Sequence, residues 1–183
     1  MSRFLEKVRP DLYVSHVSGI PFQRLYHVHG ISGYIFDLDN TIRHKKHGLD
    51  PKAVSALREA VIKGYVRHAV VLSNTIQGEE RVLKAKRMAG MFSSEIGINV
   101  EAICLGYSQR KPKIDGFNLA LKHLQLKDSE VAMVGDQILS DIKGGNKAGL
   151  FTVLVDALGP YSWMSVISGR TFRNQWARWR LDI

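Results

Sequence analysis

In the stretch GYIFDLDNTI, residues 33–42, two aspartates stand two positions apart directly behind an apolar run. Side chains two apart on an extended chain point the same way. Asp37 and Asp39 therefore repel each other unless a cation joins them or both take part in a reaction. Further polar groups close other apolar runs: Ser73 ends AVVLS with Asn74 behind it, and Gly135 ends VAMVG with Asp136 behind it, while KPK (111–113) precedes a helical stretch. These residue types fit phosphoryl transfer through an aspartyl-phosphate. Asp37 would attack phosphorus, and Asp39 would act as general acid and then as general base. Ser73 or Thr41 would hydrogen-bond the phosphoryl oxygens, with Asn74 beside Ser73 as a candidate for the same contact. A lysine from KPK, Lys111 or Lys113, would offset the charge of nucleophile and phosphate. Asp136 would complete a carboxylate site for Mg2+, a hard ion that takes one or two carboxylates together with waters and substrate phosphate.

Such convergence needs a scaffold that gathers distant residues at one edge. The apolar runs YIF (34–36), AVVLS (69–73), EAICL (101–105), VAMVG (131–135) and FTVLV (151–155) are near-continuous. Continuous runs mark strands covered on both faces. Helical patterns lie between them. DPKAVSALREAVIKG opens with a capping Asp50 and with Pro51 at the first helical position, and it carries Val54, Leu57 and Val61 on one face. GEERVLKAKRMAG reads as a second helix, and KIDGFNLALKHLQL as a third with Ile114, Phe117, Leu121 and Leu124 on one stripe; a fourth should follow Asp136 and end near Gly149. Alternating strands and helices predict an α/β fold, a doubly wound, Rossmann-like parallel sheet with flanking helices. Sheets of this kind bind ligands at the carboxyl ends of their strands, where all the candidate residues fall.

In order along the chain, DLDNT, LSN, KP and GDQILSD resemble the four motifs of the haloacid dehalogenase superfamily, and the second aspartate of DLDNT resembles its phosphatase members. The resemblance implies Asp37 as nucleophile and Mg2+ ligand, and Asp39 as acid/base with its backbone carbonyl on the metal. It implies Ser73 on phosphate, Lys111 as the stabilising lysine, Asp136 on metal and Asp141 as support for the metal site. RPDLYVSHVSGI and GDQILSDIKGGNKAGLFTVLV further resemble the YqeG-like branch, which is similar to phosphatidylglycerophosphate phosphatases; the likeness covers roughly residues 9 to 156. From Asp39 to Ser73 the chain runs 34 positions, and from Ser73 to Lys111 it runs 38. That leaves no room for a large cap domain. An open site suits a substrate whose bulk stays outside, such as a lipid head group, a protein or a nucleic acid end.

The chain has 183 residues, 45% hydrophobic and 23% charged, which suits one domain with a core over about 30–156 and flanking segments 1–29 and 157–183. The single cysteine, Cys104, excludes an internal disulfide and is expected to be buried in a strand. With neither a signal peptide nor a spanning stretch in the sequence, the expected location is cytoplasmic, with peripheral membrane contact as a further expectation. The net charge of +9 favours anionic partners. RHKKH (43–47) could steer an anionic substrate or be a solvated loop. The tail within 160–183 holds all three tryptophans and four arginines. In a helix, Phe172, Trp176 and Trp179 form a narrow stripe flanked by Arg173 and Arg180. The stripe fits either an anionic membrane surface or packing against this protein's own core or a twin subunit. The favoured partner is a phosphorylated lipid head group, with phosphatidylglycerophosphate as substrate. A soluble sugar, nucleotide or protein phosphate is the alternative. Nucleic acid is disfavoured, because the aromatics cluster rather than interleave along a strand-binding surface. The oligomeric state is not legible.

Overall fold

The computed structural model describes residues 7–44, 47–74, 78–160 and 170–183. Its strands are β1 (Leu12–Tyr13), β2 (Gly33–Phe36), β3 (Arg43–His44), β4 (Gly48–Leu49), β5 (His68–Asn74), β6 (Val100–Leu105), β7 (Val131–Gly135) and β8 (Phe151–Leu154). Its helices are α1 (Phe22–His29), α2 (Pro51–Ile62), α3 (Glu79–Ile96), α4 (Ile114–Leu124), α5 (Lys143–Lys147) and α6 (Arg170–Leu181). Six strands form one parallel sheet in the order β1-β8-β7-β2-β5-β6, and β3 and β4 form a small antiparallel hairpin.

The order follows from patterning. Every residue of β2 is buried, as is every residue of β7, so both strands need cover on two faces and take the middle of the sheet. Alternate side chains of β2 enter different cores. Tyr34 and Phe36 pack with Leu25, Leu57 and Phe92, from α1, α2 and α3. Ile35 packs with Phe117, Leu124 and Met133 on the opposite face. This is the expected doubly wound arrangement, and it sets the carboxyl ends of β5, β2 and β7 side by side.

Local signals explain most boundaries. The Asp50 carboxylate accepts the Ala53 N–H at 2.8 Å, with Pro51 next to the cap. Helix α3 runs past Gly90 to Ile96, because Ala85, Ala89, Phe92 and Ile96 prolong its buried stripe. Burial at spacings of three and four outweighs the modest helix cost of one glycine. Ile114 is 42% exposed, so the buried stripe of α4 is narrower than its apolar positions suggest. Cys104 is half-buried rather than buried, because β6 is the edge strand.

The described parts of the flanking segments are built into the fold. β1 pairs in parallel with β8, and Val17, Phe22 and Leu25 join the larger core. Ala177 of α6 packs with Val8, Ile138, Ile142 and Leu154. No helix among the described residues is long and apolar enough to cross a membrane.

Glycines set one close approach. A Cβ on Gly144 would collide with the Phe117 ring and sit 3.2 Å from the Pro112 backbone. Its absence lets α5 close on both α4 and the loop that carries Lys111. Gly144→Val should therefore lower the thermal unfolding midpoint by several degrees, through overpacking worth about 1–3 kcal/mol. A scanning-calorimetry comparison with the native chain checks this.

Candidate active site

The ladder of β2 continues one step beyond the strand, where the Asp37 N–H donates to the Val134 carbonyl at 2.9 Å. This bond fixes the direction in which Asp37 leaves the sheet. Asp136 follows β7, the immediate neighbour of β2, and Asp141 lies in a short π-helical turn, Ile138–Ile142. A ligand oxygen from each of Asp37, Asp136 and Asp141 lies within 4.8 Å of the others. Lys111 reaches the same point from the loop before α4. Its Nζ stands 2.5 Å from Asp37 Oδ1 and 2.8 Å from Asp141 Oδ1. Lys113 instead lies over the exposed Tyr107 ring, 6.0 Å from its centroid, so the lysine in the site is Lys111.

Supporting contacts set these groups. Asn74, at the end of β5, accepts the Lys111 backbone N–H at 2.9 Å. Asn74 thus anchors the lysine loop, a contact distinct from the phosphate role expected of it. Asp141 Oδ2 accepts the Gln137 N–H at 3.1 Å. A Cβ on Gly135 would collide with the Asp141 side chain, so only glycine leaves space for that carboxylate to fold under the loop. Ser73 precedes Asn74 in the same strand, two positions past the Phe36–Val71 pairing and hence beside the exit of β2. Thr41 is buried, and its hydroxyl has no hydrogen-bond partner among the described residues.

Asp39 does not enter the carboxylate cluster. Its side chain is 47% exposed and ion-paired with Arg43, whose side chain is only 8% exposed. Arg43 was legible only as one member of a basic stretch; its spacing of four from Asp39 was the available signal. Beyond Arg43, the His44 and His47 rings lie tilted at 40° to each other with centroids 4.5 Å apart. Lys45 and Lys46 lie outside the described residues. The loop between β2 and β3 is held from both sides: Asn40 N–H donates to the Arg43 carbonyl, and the Asn40 carbonyl accepts from Leu158 N–H. Asn40 has φ of 67°, a left-handed conformation that asparagine tolerates better than most residues.

The electrostatics explain why this site is unstable alone. Burial raises the Asp37 pKa from 3.8 to about 7, with Lys111 opposing the rise and Asp141 and Asp39 adding to it. Asp136 is fully buried, and desolvation, then Asp37 and Asp141, push it well above the usual carboxylate range. Burial pulls the Lys111 ammonium down, but the charges of Asp141 and Asp37 outweigh this and hold it above the usual lysine range. Three carboxylates therefore face one ammonium, and both oxygens of Asp136 lack any hydrogen-bond partner among the described residues. Two orphaned oxygens on a buried carboxylate are costly. A hard, oxygen-seeking divalent cation fits this donor set.

The comparisons with known proteins agree with this geometry. The HAD-hydrolase-like family model matches residues 108–157, the span that holds Lys111, Asp136 and Asp141. In fold and in this span the chain is similar to haloacid dehalogenase-like hydrolases, and the relatives that it resembles over most of its length are phosphatases. It is 29% identical to the probable phosphatase YqeG of Bacillus subtilis (strain 168), over 80% of this chain and 76% of that one. It is also 29% identical to the chloroplastic phosphatidylglycerophosphate phosphatase 1 of Chlamydomonas reinhardtii, over 82% of this chain and 54% of that protein. A haloacid dehalogenase-like hydrolase from Brucella suis 1330 has the same fold, with a TM-score of 0.53 at 13% identity over 81% of this chain and 94% of the other.

A group whose pKa is raised on folding binds more protons in the folded state. Its contribution to stability is complete below the unfolded pKa and is lost as pH rises through the folded one. For Asp37 that window runs from 3.8 to about 7. Without divalent cations, stability from this cluster should fall across that window. Asp136→Asn should raise the metal-free thermal midpoint by a few degrees near neutral pH, on the order of 1 kcal/mol, and should weaken stabilisation by Mg2+. Thermal melts with EDTA and with Mg2+ across the pH range check both signs.

Proposed function

We propose that this chain is a Mg2+-dependent phosphomonoesterase that works through an aspartyl-phosphate and acts on phosphatidylglycerophosphate. The observation that carries the metal and the nucleophile is the buried cluster of Asp37, Asp136 and Asp141, with both Asp136 oxygens unpartnered and Lys111 bridging Asp37 to Asp141.

Asp37, Asp136 and the Asp39 backbone carbonyl would hold the metal, with Asp141 steadying the site. Mg2+ supplies charge neutralisation, so that an anionic carboxylate can approach an anionic phosphate ester. An Asp37 oxygen attacks phosphorus, the ester bond breaks, and the leaving oxygen takes the Asp39 proton. Asp39 then removes a proton from water, which attacks the same phosphorus and releases phosphate from Asp37. Asp39 is half-exposed and ion-paired with Arg43, so the acid step requires it to take a proton from solvent and turn from that pair toward the leaving oxygen. Lys111 offsets the charge that builds on Asp37 and phosphate, and Thr41 and Ser73 offer hydroxyls to the phosphoryl oxygens.

Support for a lipid substrate comes from the likeness to the chloroplastic enzyme and from the short spans between motifs, which leave the site open. A third support is α6. Phe172, Trp176 and Trp179 are 78%, 44% and 71% exposed. The Arg180 guanidinium lies over both tryptophan rings, at 5.5 and 5.2 Å. An exposed aromatic face carrying arginines suits the head-group region of an anionic bilayer.

A Mg2+ assay comparing phosphatidylglycerophosphate in vesicles with soluble sugar, nucleotide and aryl phosphates tests the substrate. The lipid should give the highest kcat/KM, and Asp37→Asn should lose at least about a thousandfold with every ester. Higher turnover of a soluble ester would place the substrate elsewhere. In flotation assays, Trp176→Ala/Trp179→Ala should bind anionic vesicles at least about tenfold more weakly than the native chain, while its turnover of a soluble ester stays unchanged. Unchanged vesicle binding would remove α6 from the membrane contact.

A further inference from the structure

The loop that presents Asp136 is anchored from an unexpected direction. It leaves β7 at Gly135 and turns into Ile138–Ile142. A helical turn exposes unpaired N–H groups at its start, and a side chain just before it normally accepts one. Gln137 stands in that position and makes no such bond. Asp141, from within the turn, accepts the Gln137 N–H. The next N–H, that of Ile138, is satisfied from α6: Asn174 Oδ1 accepts it at 2.6 Å. The same amide's Nδ2 donates to the Asp136 carbonyl at 3.3 Å. One side chain thus bridges the backbone on either side of Gln137, and Asn174 is itself 4% exposed.

The helix that brings Asn174 is fixed to the body of the protein. Arg178, one turn further on, donates to Asp156 Oδ1 at 2.6 Å and to the Val155 carbonyl at 2.7 Å. Between them Ala177 is fully buried against Ile138, Ile142 and Leu154. Asn174 therefore arrives from a rigid element, as placing a backbone segment accurately requires.

We propose that Asn174 is a positioning residue for the Asp136 loop: it supplies the cap that Gln137 does not, and so holds the Asp136 carboxylate in the geometry that receives the cation. This rests on reading Asp136 as a metal ligand. Removing the amide leaves a buried N–H and a buried C=O without their partner. Outer contacts that orient metal ligands commonly matter tenfold or more for affinity.

The test is Mg2+-dependent thermal stabilisation of the full chain, titrated in native protein, Asn174→Ala and Gln175→Ala. Asn174→Ala should raise the half-saturating Mg2+ concentration on the order of tenfold, with kcat falling more than KM rises. Gln175→Ala, on the exposed face of the same helix, should match native protein. Equal loss of melting temperature with and without Mg2+, at unchanged half-saturation, would reduce Asn174 to a structural contact and overturn the proposal. If the native chain itself gains no stability from Mg2+, the metal reading fails first, and that outcome is distinct. Hydrogen exchange on the native chain needs no variant. The Ile138 amide should be protected to the degree of the β7 amides, and exchange at the rate of an open loop would overturn the proposal equally.

Discussion

Three buried carboxylates share one ammonium, and the rest of the molecule is arranged around that imbalance. Asp37, Asp136 and Asp141 converge where water is largely excluded, and Lys111 compensates only part of their charge. In a low-dielectric setting this raises the proton affinity of Asp37 and Asp136. A fold selected only for stability would not keep such a cluster. Its persistence is reasonable if a divalent cation occupies the gap, since the same burial that disfavours bare carboxylates strengthens their hold on a metal.

The parallel sheet makes the convergence possible. β2 lies between β7 and β5, so residues separated by about a hundred positions leave the sheet side by side. Small residues then allow tight approach. Gly135 makes room for Asp141, and Gly144 lets α5 close on the loop of Lys111. Each catalytic candidate has a backbone partner or a neighbour that limits its freedom: Val134 for Asp37, Asn74 for Lys111, Arg43 for Asp39 and Asn174 for the Asp136 loop. Positioning of this kind is most of what phosphoryl transfer asks of a protein.

Much of this was legible in the residues. The strands of the sheet centre were visible as unbroken apolar runs, and the aspartates behind them marked the site. Other parts were hidden for physical reasons. β1 has two residues, too few for any periodicity. Helix α1 carries four polar or histidine positions among its apolar ones, and only Phe22 and Leu25 are buried. Lys111 and Lys113 are separated by tertiary packing alone. The tail pattern suggested an aromatic stripe that could pack on this protein's own core, but α6 packs through Asn174, Ala177 and Arg178 and leaves the aromatics outward. No local signal links Asn174 to Asp136, because their contact spans 38 positions.

The most direct measurement is calorimetric titration of Mg2+ into the native chain at about pH 6 and about pH 9, in buffers of differing ionisation enthalpy. Asp37, whose pKa burial raises to about 7, must release its proton as the cation enters near neutrality. The account predicts one bound ion per chain, with net proton release at the lower pH that is smaller at the higher, where Asp37 is already ionised. Binding that proceeds without proton exchange at either pH, or no binding at all, would contradict it.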